Sequence, residues 1–111
     1  MDKIKEVNVE KIKSDLPNEH LTTKLAEFFS VFGDSTRMQM IALLRHGKMN
    51  VTDIASALDL SVSAVSHQLK LLKTHDLVRS ERKGKYIYYY LSDEHVTSIF
   101  DQGINHLTEK R

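Results

Sequence analysis

The segment "VTDIASALDLSVSAVSHQLKLLKTHDLV", residues 51–78, decides the fold of this 111-residue chain. Its first part, from about Val51 to Leu58, predicts a short helix that Asn50 can cap. The "DLS" that follows is typical of a tight turn, and Ser61 can cap a second, longer helix. The buried stripe of this second helix is expected to consist of four apolar residues at helical spacing, Val62, Val65, Leu69 and Leu72. The segment therefore predicts two helices joined by a tight turn.

The residues that follow change from helical to strand periodicity. The stretch "LVRSERKGKYIYYYL", residues 77–91, predicts two short strands around the basic turn Lys83-Gly84-Lys85. Alternation in the second strand places Ile87, Tyr89 and Leu91 on one face, and Tyr86, Tyr88 and Tyr90 on the other. A short helix, a tight turn, a second helix and a basic hairpin form a winged helix-turn-helix layout.

The flanking segments add further helices. "LTTKLAEFFSVFG" and "DSTRMQMIALLRHG", residues 21–33 and 34–47, predict two helices that end at glycines, and Asp34 can cap the second. A last helix is expected from Ser92 or Asp93 to about Glu109. The predicted fold is mainly α with one β-hairpin, in one domain over residues 18–111. Residues 1–17 are charged and weakly patterned, so they are expected to form a flexible arm or a loosely docked helix.

Composition excludes several classes of protein. The chain has no cysteine, so disulfides, thiolate metal sites and cysteine nucleophiles are excluded, and any metal must be held by nitrogen and oxygen ligands. It has no apolar run long enough for a membrane span and no signal-peptide pattern, so a cytoplasmic location is expected. We find no nucleophile motif and no glycine-rich phosphate loop, so neither an enzyme nor a small-molecule substrate is expected.

The charge distribution divides the chain into two parts. Residues 61–85 carry six Lys or Arg against two acids, and residues 91–111 carry four acids against two Lys or Arg. The first part favours a polyanion and the second favours cations. In the first part, ten outward polar or basic positions are candidate contacts to double-stranded DNA: Ser61, Ser63, Ser66, His67, Gln68 and Lys70 on the second helix, and Arg79, Arg82, Lys83 and Lys85 on the wing. The alternative is that these are simply solvated positions beside a core stripe.

The stretch "DEHVTSIFDQGINHLTE", residues 93–109, carries ligand-type side chains at both ends of the last helix. Asp93 and His95 lie at one end and His106 and Glu109 at the other, and the nearest two, His95 and His106, are eleven residues apart, or about 16 Å along a helix. No single ion spans that distance. In the alternative interpretation, Asp93 is only an N-cap, Glu109 is a solvated acid, and the histidines are surface or interface residues.

An antiparallel second copy of this helix would remove the difficulty. The ligand stripe borders an apolar stripe that includes Val96, Phe100 and Leu107, and Gly103 would allow close helix packing. Across a two-fold axis, Asp93 and His95 of one chain would then meet His106 and Glu109 of the other, at two identical sites per dimer. Two imidazoles and two carboxylates suit tetrahedral Zn(II), with Co(II) as a mimic.

Three segments resemble the ArsR/SmtB family of bacterial metal-sensing repressors: "VFGDSTRMQMIALL", "VTDIASALDLSVSAVSHQLKLLKTHDLV" and "GKYIYYYL". The resemblance covers about residues 20–109 and is most specific from Leu60 to Lys73. Ser35 stands where the family often has proline. The four acidic and histidine residues of the last helix are similar to the family's zinc site on the C-terminal helix, and all four positions match.

The resemblance implies a homodimeric repressor in which the first and last helices form the interface. It implies that the metal-free protein binds a palindromic operator and that metal releases it. The runner-up is a winged-helix repressor that responds to cobalt or nickel, or to no metal at all. Arsenic or cadmium sensing through cysteines does not carry over, because the region "GKMNVTDIA" holds no thiol.

Overall fold

The computed structural model describes residues 6–109. This part of the chain forms six helices and three strands: α1 (Val9–Asp15), α2 (Glu19–Phe32), α3 (Ser35–Leu44), β1 (Met49–Asn50), α4 (Val51–Leu58), α5 (Val62–Thr74), β2 (Val78–Lys83), β3 (Tyr86–Leu91) and α6 (Glu94–Thr108). The predicted winged helix-turn-helix order from α2 to α6 is confirmed. Two elements were not predicted outright, the short helix α1 and the two-residue strand β1.

Side-chain caps set the starts of the helices. Asp34, Asn50 and Ser61 each accept a hydrogen bond from the backbone N–H three residues ahead, at 3.0, 2.8 and 3.0 Å. Each bond satisfies one of the donors that a helix start leaves unpaired. The three predicted caps are therefore confirmed, and Asp93 is the cap of α6 rather than Ser92.

The two helices of the helix-turn-helix end in the same way. Asp59 and Asp76 follow α4 and α5 in the left-handed conformation, each with φ of 57°. The next residues, Leu60 and Leu77, donate their N–H groups to carbonyls five residues back, at 3.0 and 2.9 Å. Aspartate tolerates this conformation better than most residues, so both Asp-Leu pairs end a helix abruptly. The first pair forms the tight turn and the second directs the chain into β2.

The core lies between α3, α4, α5 and the start of β2. The fully buried side chains are Met40, Ile41, Ile54, Val65, Leu69, Leu72, Leu77 and Val78. The prediction for α5 is correct for three of its four stripe residues and wrong for Val62, which is 51% exposed. Val62 lies in the first turn, one turn before the helix reaches the core.

The wing is a three-stranded antiparallel sheet in the order β1-β3-β2. Gly84, with φ of 62°, makes the turn between β2 and β3, where Lys83 pairs with Tyr86. Tyr89 and Leu91 pack against the core, as the alternation predicts, whereas Ile87 is 42% exposed. On the other face, the rings of Tyr86 and Tyr88 pack edge to face.

The N-terminal arm is helical in part. Asn8 caps α1, which buries none of its residues. Residues 1–5 of the predicted arm, and residues 110–111 of the predicted domain, lie outside the described residues. None of the helices within residues 6–109 is long and apolar enough to cross a lipid bilayer.

Candidate DNA interface and metal-ligand positions

The second helix of the helix-turn-helix, α5, is the candidate recognition helix. It presents one polar face to solvent. Ser63, Ser66, His67 and Lys70 are all exposed, and together they cover the side opposite the buried stripe. Ser61 is exposed too, but its hydroxyl oxygen already accepts from the N–H of Ala64. The first turn of α5 therefore offers hydroxyl groups and the positive end of a helix dipole to an anion.

Gln68 differs from the other five predicted positions on α5. It is half-buried, and its amide oxygen accepts a hydrogen bond of 3.2 Å from Nη1 of Arg37. Arg37 is in the first turn of α3, and its Nε donates to the carbonyl of Val31 at 2.8 Å. The structure thus brings Gln68 to the corner between α2 and α3.

The wing carries its four predicted basic residues on exposed positions. Nε of Arg82 donates to the carbonyl of Gly84 at 3.1 Å, and Arg79 lies 3.6 Å from the carboxylate of Asp76. Lys73 on α5 donates to the hydroxyl of Ser80 on β2 at 2.8 Å, which ties the wing to the recognition helix. The wing and the polar face of α5 thus lie next to each other.

An ion pair joins Lys48 to β2 on the solvent side of the sheet. Lys48, just before β1, donates to the carboxylate of Glu81 on β2 and also lies 4.9 Å from the ring centroid of Tyr90. This hydrogen bond lowers the pKa of the Glu81 carboxyl and raises the pKa of Lys48. Both side chains are exposed enough for solvent to screen the pair.

A cleft of 330 Å³ separates the recognition helix from the wing. Its lining includes Thr52 at the start of α4, Ser66 on α5, and Lys85 and Tyr86 on the wing. Sequence patterning missed Thr52 as a neighbour of the DNA-binding positions. The strand β1 brings it there by pairing Asn50 with Tyr88, and two residues are too few to show strand alternation.

The two ends of α6 hold the predicted metal ligands. At the first end, Oδ1 of Asp93 accepts from the backbone N–H of His95 at 2.8 Å and lies 3.2 Å from its Nδ1. At the other end, His106 is exposed in the last turn and Glu109 is the C-cap residue. Within residues 6–109, one chain brings no three ligand-type side chains together around a point. The structure therefore pairs Asp93 with His95 and leaves His106 and Glu109 a helix length away.

The apolar stripe of α6 changes character along the helix. Val96 and Phe100 are buried against the chain's own core, and Arg45 of α3 bonds Asp101 at 2.7 Å beside them. Further along, Ile104 is 45% exposed and Leu107 is 81% exposed. A Cβ added at Gly103 would meet nothing within 4 Å, so a second helix could approach closely there.

α2 has a similar open stripe. Leu21, Leu25 and Phe29 are 55%, 48% and 47% exposed and recur at helical spacing. Contiguous apolar surface of this kind marks an interaction site. The two helices expected to form a dimer interface thus both expose large apolar side chains.

Together, these features define a winged helix-turn-helix DNA-binding protein. The family model "Bacterial regulatory protein, arsR family" matches residues 34–80. The chain is 40% identical over 86 residues to a transcriptional repressor SmtB homolog from Synechocystis sp.. The matched segment covers 78% of this chain and 65% of that relative. It is 32% identical over 107 residues to a cadmium resistance transcriptional regulatory protein CadC homolog from Staphylococcus aureus, covering 96% of this chain and 88% of the relative.

Solved structures agree with these relatives. The AntR antimony-specific transcriptional repressor superposes with a TM-score of 0.74 at 29% identity, over 83% of this chain and 84% of that one. The homodimeric DNA-binding domain of a possible ArsR-family regulator from Mycobacterium bovis superposes with a TM-score of 0.75 at 25% identity, over 86% and 94%. The chain belongs to the ArsR family of bacterial transcriptional regulators. These relatives are regulators rather than enzymes, as the sequence predicted.

Proposed function

We propose that the protein is a zinc-responsive repressor. It binds a palindromic operator as a metal-free homodimer and leaves the DNA when Zn(II) binds across the dimer at the C-terminal helices. The observation that carries this proposal is the layout of α6, with Asp93 and His95 at one end, His106 and Glu109 at the other, and exposed apolar residues between them.

The N-terminal end of α6 fits half of a zinc site. Two ligands of a tetrahedral zinc ion, each bonded at about 2.0 Å, lie about 3.3 Å apart. Oδ1 of Asp93 and Nδ1 of His95 are 3.2 Å apart, and the His95 side chain is 84% exposed. These two donor atoms therefore need little rearrangement to share one ion.

The other two donors would come from a second copy. An antiparallel α6 across a two-fold axis would bring its own His106 and Glu109 to Asp93 and His95, and the exposed Ile104 and Leu107 would be buried in the same contact. Zinc bound there would bridge the two chains by coordination to four nitrogen and oxygen donors. The printed name of the CadC relative refers to cadmium, but this chain has no thiolate, so its donors favour zinc over a thiophilic ion.

DNA binding uses the face described above. A dimer presents two α5 helices to successive major grooves, about 34 Å apart. Ser63, Ser66, His67 and Lys70 face the bases, with Ser61 at the helix start, and the four basic wing residues contact the flanking backbone. Metal that fixes the relative orientation of the two chains changes the spacing of the recognition helices, so metal and DNA binding are coupled.

A zinc titration of the protein–DNA complex tests the coupling. The DNA is a duplex that the metal-free protein selects from a random library, and binding is followed by fluorescence anisotropy. We expect saturating zinc to weaken binding by about 5- to 150-fold, the usual range of such coupling. His106→Ala should abolish the response and His46→Ala, at an exposed histidine outside the site, should keep it. Unchanged DNA binding at saturating zinc would instead indicate a repressor without metal response.

A mixed dimer tests the pairing across the interface. Co(II) absorption should report one tetrahedral ion per chain of the native protein. A dimer with one His95→Ala chain and one His106→Ala chain should bind one ion tightly, because one of its two sites keeps all four ligands. Pairing within each chain predicts no intact site, and a six-coordinate spectrum would indicate a nickel-type centre. Metal binding should weaken in acid, because coordination requires neutral imidazole and ionised carboxylate groups.

A further inference from the structure

We infer that Arg37 and Gln68 form a positioning pair, which fixes the recognition helix to the corner between α2 and α3 and does not read DNA bases. This inference rests on the proposed operator binding. It gives Gln68 a role different from the base contact that its place in the sequence predicts.

The position of Gln68 on α5 supports this role. At 100° per residue, Gln68 lies about 60° from Val65 and His67 lies about 160° from it. Val65 is fully buried, so Gln68 is at the edge of the buried side while His67 is on the opposite, exposed side. A side chain at the edge of the core is poorly placed to enter a major groove together with His67.

The chemistry of Arg37 fixes the orientation of the Gln68 amide. A guanidinium group has only hydrogen-bond donors, so the amide oxygen, and not the amide nitrogen, must face it. The bidentate contact by which glutamine reads adenine uses that oxygen together with the amide nitrogen. In this structure the oxygen is bonded to Arg37 at 3.2 Å and directed towards the protein.

Arg37 itself is held by both neighbouring helices. Its backbone N–H bonds the cap residue Asp34 at 3.0 Å, and its Nε bonds the carbonyl of Val31 at 2.8 Å. Val31 is in the last turn of α2, where carbonyls have no partner within the helix. The guanidinium of Arg37, in the first turn of α3, therefore bonds both the end of α2 and the recognition helix α5.

This connection makes α5 follow α2. If two α2 helices change their relative position in a dimer, each recognition helix moves with its own α2 rather than independently. Loss of either side chain should loosen α5 and reduce affinity for every DNA sequence by a similar factor, whereas loss of a base reader would relax the preference at a particular base pair.

The test uses Gln68→Met and Arg37→Lys. Methionine keeps the length of glutamine without its acceptor, and lysine keeps the charge of arginine without its two-directional donors. The controls are Gln39→Met and Gln102→Met, the same substitution as Gln68→Met at two exposed positions outside the pair. Each variant is titrated with the selected duplex and with versions changed at one base pair at a time.

We expect each test variant to weaken DNA binding by about tenfold, as for a lost hydrogen bond to a charged group. The factor should be equal for all duplexes, and the double variant should be little worse than either single variant. The controls should bind like the native protein. A loss of discrimination at one base pair per half-site in Gln68→Met alone, or additive losses in the double variant, would overturn the pair.

A second double-mutant cycle, on the free energy of unfolding in urea, needs no DNA. Coupling between Arg37→Lys and Gln68→Met in unfolding would support the pair, and additivity would contradict it. If the native protein selected no duplex, operator binding would fail as a proposal, while this cycle would still decide whether the pair exists.

Discussion

The part of the protein from α3 to β2 and the two helices α2 and α6 bury their apolar residues to very different extents. Within residues 6–109, every fully buried large side chain lies between Met40 and Val78. In contrast, α2 and α6 expose five large apolar residues by 45% to 81%: Leu21, Leu25, Phe29, Ile104 and Leu107. The first region completes its core within one chain. The second has an exposed apolar surface, and the proposed metal-ligand positions lie at the two ends of α6.

The largest expected effect comes from a charge placed on the exposed apolar stripe of α6. Leu107→Glu should weaken dimerisation by about a hundredfold or more, because it loses the burial of a leucine and places a carboxylate in an apolar contact. Since Leu107 is 81% exposed in the single chain, the fold itself should remain intact. Sedimentation equilibrium measures the dissociation constant, and far-ultraviolet circular dichroism checks the fold.

Gln102→Glu is the matched control for that experiment. It adds the same charge to an exposed position of the same helix and should leave dimerisation nearly unchanged. If Leu107→Glu dimerised as tightly as the native protein, the stripe on α6 would not be the interface. The proposed zinc sites across the dimer would then have to be abandoned as well.

A smaller effect, on the free energy of unfolding, is expected within α5, where a buried and an exposed valine can be compared. Val65 is fully buried and Val62 is 51% exposed, although both lie on the apolar side of α5. Val65→Ala should lower the free energy of unfolding by about 2 kcal/mol, from two lost methyl groups and the cavity that remains. Val62→Ala should change it by less than about 0.5 kcal/mol.

Urea unfolding at one fixed protein concentration measures both variants, because a dimer's stability depends on concentration. Equal losses at the two positions would mean that Val62 is buried in the assembled protein. In that case the start of α5 would belong to an interface and not to the DNA-binding face.

Helix starts were predictable from the sequence because local chemistry sets them, whereas α3 ends at Leu44 and not at the predicted Gly47. Asp34, Asn50 and Ser61 each bond a backbone N–H three residues away, so their effect needs no tertiary contact. The strand β1 was not predictable in this way. It exists because Met49 pairs with Tyr89, forty residues later, and no local pattern encodes such a pairing. The exposure of Val62 likewise depends on where the core ends.

Part of the candidate site was likewise predictable from the sequence, and part was not. The pairing of Asp93 with His95 follows from their spacing at a helix start, and the sequence was sufficient to place both at one end of α6. The contact of Gln68 with Arg37 could not be predicted, because Arg37 lies 31 residues earlier and reaches it only in the folded chain. Residue type alone made it resemble its outward neighbours on α5.

The smallest predicted effect concerns the exposed pair of Lys48 and Glu81, on the solvent side of the closed region. Because the hydrogen bond from Lys48 lowers the pKa of the Glu81 carboxyl below its ordinary value of 4.5, the pair stabilises the folded state above that value. The contribution is lost as the pH falls through the lower pKa of the folded protein. Glu81→Gln should therefore reduce stability slightly at pH 7 and flatten its decline below about pH 4.5.

Urea unfolding between pH 3 and pH 7, at roughly half-unit steps, measures this change, with Glu27→Gln as a control at an exposed acid on α2. A native-like pH profile for Glu81→Gln would mean that the pair adds nothing to stability. Solvent screening makes the expected difference small even though the contact is close. A large difference would show that this surface pair contributes substantially to the stability of the wing. The part of the protein from α3 to β2 would then depend for its stability on a surface contact as well as on its buried core.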